Sequence, residues 1–304
     1  LVISLYQRAG PATGLPTRHE QGDLLFAVHA GHGEFPRIVF SSGDIEESFY
    51  DTIKVFNFAE KYQMPVIHLL DKAIANSVTT CRNFDQHRIK VDRGQTVDKV
   101  SMAGEKLDRK YLRFKLGKNP ISPRAVLGTQ NGIFWNTGDE HTEEGHITED
   151  PYNRINMMDK RMNKLDIALE EIPNEDKAIA FGNNEDQDVL SVLSWGSTKG
   201  SILDALNQLN REGEKMRFIQ LRLLHPFPAR LLETLIRGSK ILVDIEMNYS
   251  AQLASMIEQR LNRKIDYTVV KYNGRPMSSS EIYNALKLII SGNAPRRQVL
   301  ENGT

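Results

Sequence analysis

A single arginine, Arg8, stands between an apolar run, Leu1 to Tyr6, and a stretch where Gly10, Pro11, Gly14 and Pro16 forbid regular structure. An arginine can hold a carboxylate or a phosphate through two parallel N–H donors. The apolar run is short enough for a buried strand. A helix is expected from about Gly22 or Asp23, with Leu24, Leu25, Ala27 and Val28 as its apolar positions. A rigid loop after a buried strand is how an α/β protein fixes a cation at the carboxyl end of its sheet. The alternative is that Arg8 pairs with a structural acid and the loop only turns the chain. Composition and spacing alone favour that alternative.

Other residues could in principle do chemistry. His19, His29 and His32 gather around the expected helix, but no acid repeats at ligand spacing, so no metal is assigned. A second polar set, Asn136 to His146, holds His141 and His146 beside four acids. It reads as a surface hairpin or lid held by hydrogen bonds, since no adjacent helix fixes the ligands. His68 lies inside an apolar strand and reads as a hydrogen-bonded core residue. Cys81 has no visible base and reads as a packing residue. Gly196-Ser197-Thr198-Lys199-Gly200 lacks Walker and Rossmann spacing, which leaves a phosphate contact at the next helix amino terminus as a minor alternative. Glu246 reads as a capping or interface acid.

The elements that must position these residues alternate. Strands are expected at Arg37 to Phe40 and Pro65 to Leu70, with a helix between them that Asp44 and Glu47 cap. Continuous apolar strands joined by helices predict a parallel sheet, with ligands outside the carboxyl ends of its strands. Residues 82 to 113 are rich in charge and read as an exposed connection. A helix is expected from about Pro151 to Glu171. A polar cluster at 174–186 marks a boundary, and a second strand–helix alternation fills the rest. The expected organisation is 1–78, part of a parallel-sheet domain; 79–186, a linker and lid region; and 187–304, a smaller α/β domain.

Composition sets outer limits. The chain has 304 residues, enough for two domains, with 39 basic and 39 acidic side chains. That balance favours neither nucleic acid nor an anionic membrane. No apolar run approaches the roughly 20 residues of a membrane span. One cysteine excludes an internal disulfide, suits a reducing cytoplasm, and is too few for an iron–sulfur cluster, which takes about four. The chain opens inside a strand, so a missing natural start is expected.

Arg8-Ala-Gly-Pro-Ala-Thr-Gly-Leu-Pro-Thr17 followed by Glu20-Gln-Gly-Asp-Leu24 resembles the alpha subunit of 2-oxoacid:ferredoxin oxidoreductases, in the archaeal form with a gamma domain fused ahead of alpha. Thr137-Gly-Asp-Glu-His-Thr-Glu-Glu-Gly-His146 is similar to a second segment of that family. The resemblance spans nearly the whole chain. It implies a thiamine-diphosphate-binding pyrimidine-type domain over 1–78 and a transketolase C-terminal-like domain over 187–304. It also implies CoA-dependent oxidative decarboxylation of pyruvate or another 2-oxoacid to acyl-CoA, with electrons passed to ferredoxin in the cytoplasm. Arg8 stands where the family binds the substrate carboxylate, with Thr13 on the same loop; Asp139 and His141 are implied as outlying contacts. Thiamine diphosphate, Mg2+ and a 4Fe–4S cluster would be held mainly by a cysteine-bearing beta subunit, with CoA as co-substrate. Two departures are visible. Ala12 replaces the usual serine, and the family's aminopyrimidine acid and Tyr-Pro-Ile-Thr-Pro motif belong ahead of residue 1. Two other readings remain: a structural fragment without chemistry of its own, and a transketolase-like thiamine enzyme without an iron–sulfur partner.

Overall fold

In the computed structural model, residues 1–98, 111–182 and 189–302 are described. Within the two stretches expected to be a charged connection and a polar boundary, 99–110 and 183–188 lie outside the described residues. The first unit runs β1 (Val2–Gln7), α1 (Leu24–Val28), β2 (Ile38–Ser41), α2 (Ile45–Tyr62), β3 (Val66–Asp71) and α3 (Lys72–Asn76). A short pair follows, β4 (Thr96–Val97) with β5 (Arg124–Ala125), and then α4 (Pro151–Glu171) and α5 (Asn174–Lys177). The second alternation is β6 (Ala178–Gly182), β7 (Val189–Ser194), α6 (Thr198–Arg211), β8 (Met216–Leu221), β9 (Leu223–His225), α7 (Ala229–Leu235), β10 (Ser239–Glu246), α8 (Gln252–Leu261), β11 (Tyr267–Val270), α9 (Ser279–Ile290) and β12 (Arg297–Val299).

Two sheets result. The first has the order β1-β3-β2-β9, with β1, β3 and β2 parallel and β9 antiparallel at the edge. The second has the order β12-β11-β10-β7-β8-β6, parallel except for β6. The parallel α/β architecture is therefore what the continuous apolar strands foretold. β3 and β7 are buried along their whole length, as strands covered on both faces must be. The core is layered. Ile38, Phe40 and Val55 pack with Ala168 of α4 on one side of the first sheet. Val39, Ile67 and Leu69 pack with Leu193, Trp195, Leu253 and Ile257 between the sheets. Val192, Phe218 and Val243 pack with Ile202, Leu206, Ile282 and Leu286 of α6 and α9 beyond the second.

Local chemistry starts the helices where the sequence placed them. Asp44 accepts from Glu47 N at 2.7 Å, and Glu47 returns by accepting from Gly43 N at 2.6 Å. Ser278 and Glu281 form a capping box on α9. Several elements have no counterpart in the sequence expectations, among them α5, β6, the three-residue β9 and β12. Between β8 and β9 the chain passes from one sheet to the other at Arg222. Its guanidinium is buried against Asp51 of α2 and Asp176 of α5, the latter at 3.1 Å. Cys81 is exposed rather than packed. Among the described residues no helix is long and apolar enough to cross a membrane.

Candidate functional site

β1 delivers Arg8 to the carboxyl edge of the first sheet, one residue past its register partner pair Gln7 and Asp71. Arg8 is exposed. Among the described residues its side chain has no hydrogen bond and no ion pair, and only its backbone is engaged, opposite His19. The structural-acid alternative is therefore not what the structure holds. An uncommitted guanidinium on a fixed backbone is suited to a planar anion from outside the chain.

The backbone is fixed at several points. The loop closes on itself through Ala9 N to Arg18 O at 3.3 Å and Gly14 N to Pro11 O at 2.8 Å. Gly14 has φ +54°, and a Cβ there would lie 2.5 Å from the Ala9 carbonyl oxygen, so only glycine fits. The tip, residues 10–18, faces solvent and carries Thr13. The base is bolted to the second sheet: His19 N donates to Gly274 O at 3.3 Å and Gln21 N to Met247 O at 2.7 Å.

Gln21 is the central bolt. It is fully buried, and its Nε2 donates to Asp71 Oδ2 at 3.2 Å and to Trp195 O at 3.0 Å, while its Oε1 accepts from Met247 N at 3.0 Å. One side chain thus ties the ends of β3, β7 and β10 to the Arg8 loop. Asp71 also accepts from Ser197 N at 2.9 Å and caps α3 through Ile74 N at 3.2 Å. Its carboxylate sits at the start of α6, where a phosphate contact was the minor alternative, so that position is taken. Nothing in a single sequence distinguishes Gln21 from any other glutamine; only its burial reveals it.

Behind Arg8, His19 lies 3.7 Å from Asp71 and 3.0 Å from the Met247 sulfur. Burial lowers its pKa against the pull of Asp71. Glu20 accepts from Gly10 N at 3.3 Å, and burial raises its pKa. Among the described residues no three His, Cys, Asp or Glu side chains converge as metal ligands. Glu246 is buried and accepts from Trp195 Nε1 at 2.9 Å and from Leu253 N at 2.6 Å near the start of α8, a capping role.

Arg8 and Thr13 share one loop, but the structure does not bring Asp139 and His141 to them. The 136–146 segment is a surface turn, closed by Thr142 N to His146 O at 2.8 Å and Gly145 N to Thr142 O at 2.9 Å. Asp139 is exposed. The His141 ring lies 4.2 Å from that of Phe114 and shares a cavity with Pro36 and Pro65, which precede β2 and β3. That is the amino edge of the first sheet. A six-residue strand, about 20 Å long, separates it from the carboxyl edge.

These residues do not fit a complete site for a metal-bound diphosphate or for an iron–sulfur cluster. Asp71 is committed to Gln21, Ser197 and Ile74, and the chain has one cysteine.

Residues 1–160 match the family model described as pyruvate flavodoxin/ferredoxin oxidoreductase, thiamine diP-bdg, and residues 189–282 match pyruvate:ferredoxin oxidoreductase core domain II. Similar curated proteins include the 2-oxoacid:ferredoxin oxidoreductase 2, subunit alpha, of Aeropyrum pernix, 42% identical over 306 residues. The 2-oxoacid:ferredoxin oxidoreductase subunit alpha of Saccharolobus solfataricus is 41% identical over 305 residues. Both alignments take in 100% of this chain and 46% of the relative, so the chain spans about half the length of the curated relatives it matches. The 2-oxoglutarate:ferredoxin oxidoreductase from Magnetococcus marinus, solved with 2-oxoglutarate, coenzyme A and succinyl-CoA bound, is similar at TM-score 0.84 and 33% identity, over 94% of this chain and 48% of that one.

Proposed function

We propose a function from one premise, that this chain belongs to the pyruvate flavodoxin/ferredoxin oxidoreductase family through its thiamine diphosphate-binding part. It works within the alpha subunit of a 2-oxoacid:ferredoxin oxidoreductase. That enzyme oxidatively decarboxylates pyruvate or another 2-oxoacid, forms the acyl-CoA and passes electrons to ferredoxin. The observation that carries this reading is Arg8, an exposed guanidinium without an ion pair among the described residues, at the carboxyl edge of a parallel sheet and on a loop bolted down by Gln21.

In this role Arg8 receives the 2-oxoacid carboxylate with two parallel donors, which orients the carbonyl carbon for reaction. Thr13, on the same loop, is the accompanying polar group. The Gly14 turn and the Gln21 anchor hold Arg8 in place, so the clasp is preorganised. Thiamine diphosphate, when bound in the complex, would supply the electron sink for decarboxylation. It is assigned, with Mg2+ and a 4Fe–4S cluster, mainly to a cysteine-bearing beta subunit, because the chain has one cysteine and its described residues assemble no metal site. CoA is the co-substrate, ferredoxin the electron acceptor and the cytoplasm the setting. The domain organisation proposed is 1–78 for the pyrimidine-type part, 79–186 for the connecting region and 187–304 for the transketolase C-terminal-like part.

The test is native mass spectrometry of the purified particle, with thiamine, iron and CoA-dependent reduction of a dye by 2-oxoacids assayed on the same sample. The expected result is a complex with a cysteine-bearing subunit, iron, thiamine diphosphate and activity. A particle without iron, thiamine or activity would contradict it.

A further inference from the structure

Helix α4 carries Lys160 and Lys164 four residues apart, and both line a cavity of about 230 Å³ at the amino edge of the first sheet. Lys160 Nζ donates to Pro120 O at 2.7 Å and Ser122 Oγ at 2.8 Å; Lys164 Nζ donates to Gln63 O at 3.1 Å. All three acceptors are neutral. An ammonium group has three donors, so among the described residues Lys160 leaves one unfilled and Lys164 two. Neither forms an ion pair with a described carboxylate. Of the nearby acids, Glu140 is taken by Arg154 and Arg161. Glu143 attracts Lys160 but is held by Leu116 N at 2.6 Å.

Like charges at this helical spacing repel. Arg113 adds to the repulsion on both lysines, and Arg161 adds to that on Lys164. Burial first, then these neighbours, brings each lysine down to about 8. A fold that crowds uncompensated cations around a cavity has left a place for a counter-ion. Gln63, His141 and Arg161 also line the wall, and Phe35, Met64 and Phe114 supply an apolar side to it.

We propose that this cavity binds the phosphate group of a small phosphorylated molecule, with Lys160 and Lys164 holding the phosphate and Phe35, Met64 and Phe114 seating the apolar part attached to it. Phosphate fits better than carboxylate. Two ammonium groups offer point charges and three separate donors, which suits a tetrahedral dianion, whereas the planar fork of Arg161 that would clasp a carboxylate is already used by Glu140. The site lies across the sheet from Arg8 and is independent of the 2-oxoacid reading.

The test uses the purified protein with any subunits that copurify. Trace acetylation by acetic anhydride is read lysine by lysine near neutral pH, as inorganic phosphate or AMP replaces chloride at constant ionic strength. Labelling of Lys160 and Lys164 is expected to fall along a saturating curve to about a tenth of its starting value, at lower AMP than phosphate, while exposed lysines do not change. Lys164→Met is expected to melt higher than wild type without phosphate, because a repelling charge is gone, and to lose the phosphate-dependent rise in melting temperature. Labelling indifferent to both probes, or a Lys164→Met protein that keeps the full phosphate response, would overturn the site. Protection of both lysines before any probe is added would also overturn it, by showing the cavity already filled by a partner. AMP binding no tighter than phosphate would overturn the apolar seat.

Discussion

Gln21 Nε2 lies 3.2 Å from Asp71 Oδ2, and both side chains are enclosed by the protein. The contact joins the loop that carries Arg8 to the end of the central strand of the first sheet. The same amide group reaches Trp195 O and Met247 N in the second sheet. Gln21→Leu would remove these bonds at nearly constant volume and strand the buried Met247 N–H, while Asp71 keeps Ser197 N and Trp195 O keeps Thr198 Oγ1. It is expected to cost about 3 kcal/mol in denaturant unfolding and to lower 2-oxoacid turnover by releasing the Arg8 loop. Unchanged stability with unchanged turnover would remove Gln21 from the account.

Two glycines near this contact should respond oppositely to alanine. Gly196 has φ +68°, and an added Cβ would lie 2.3 Å from Gln21 Nε2. Gly196→Ala is expected to destabilise by more than about 1 kcal/mol and to share the turnover defect of Gln21→Leu. Gly200 lies in helix α6 with nothing within 4 Å of an added Cβ. Gly200→Ala is expected to stabilise by about 0.5–1 kcal/mol. Thermal denaturation of the pair checks both signs.

Arg222 is buried where the chain crosses between the sheets. Burial raises the pKa of its partner Asp51, and Arg222 opposes that rise. Arg222→Met would leave that carboxyl group and the Asp176 group with the Lys54 side chain as their one charge partner among the described residues. A loss of about 3–5 kcal/mol is expected, measured by urea unfolding. The double variant Arg222→Met with Asp51→Leu should recover part of it, because the stranded group is gone.

His68 gives an acid limit to stability. Ser42 Oγ donates to Asp51 at 2.8 Å, so it accepts from His68 Nε2, also at 2.8 Å, and His68 Nδ1 is left buried without a partner. Burial, then Arg222, pushes the imidazole down to about 4. A depressed folded-state pKa contributes stability that is present above the ordinary value near 6.5 and is lost as pH falls toward 4. The loss is about 3 kcal/mol. His68→Gln keeps a donor toward Ser42 and is expected to flatten the decline of stability over that window. An equal slope in wild type and variant would contradict this.

What the sequence revealed was local or periodic. Continuous apolar strands between helices gave the parallel sheets, and the Asp44–Glu47 cap is set by residues three apart. Arg8 was legible as a candidate because glycines and prolines flank it, although spacing alone favoured a structural ion pair. Whether an acid meets Arg8 depends on contacts distant in sequence. Gln21 was hidden for the same reason, since its partners are 50, 174 and 226 residues away. β9 is three residues long, too short for periodicity to register, yet it closes the edge of the first sheet. Asp139 and His141 were candidates through the family resemblance alone, but their turn packs at the opposite edge from Arg8.

The most direct test of the central claim is the steady-state kinetics of Arg8→Ala and Arg8→Lys in the assembled complex, with dye reduction driven by a 2-oxoacid and CoA. Losing a charged hydrogen bond to the carboxylate is expected to raise the 2-oxoacid KM and to lower kcat/KM by about 10- to 100-fold. The KM for CoA should hold, and lysine should restore only part of the loss because it lacks the bidentate fork. An Arg8→Ala complex with wild-type kcat/KM for the 2-oxoacid would contradict the assignment of Arg8 as the carboxylate clasp.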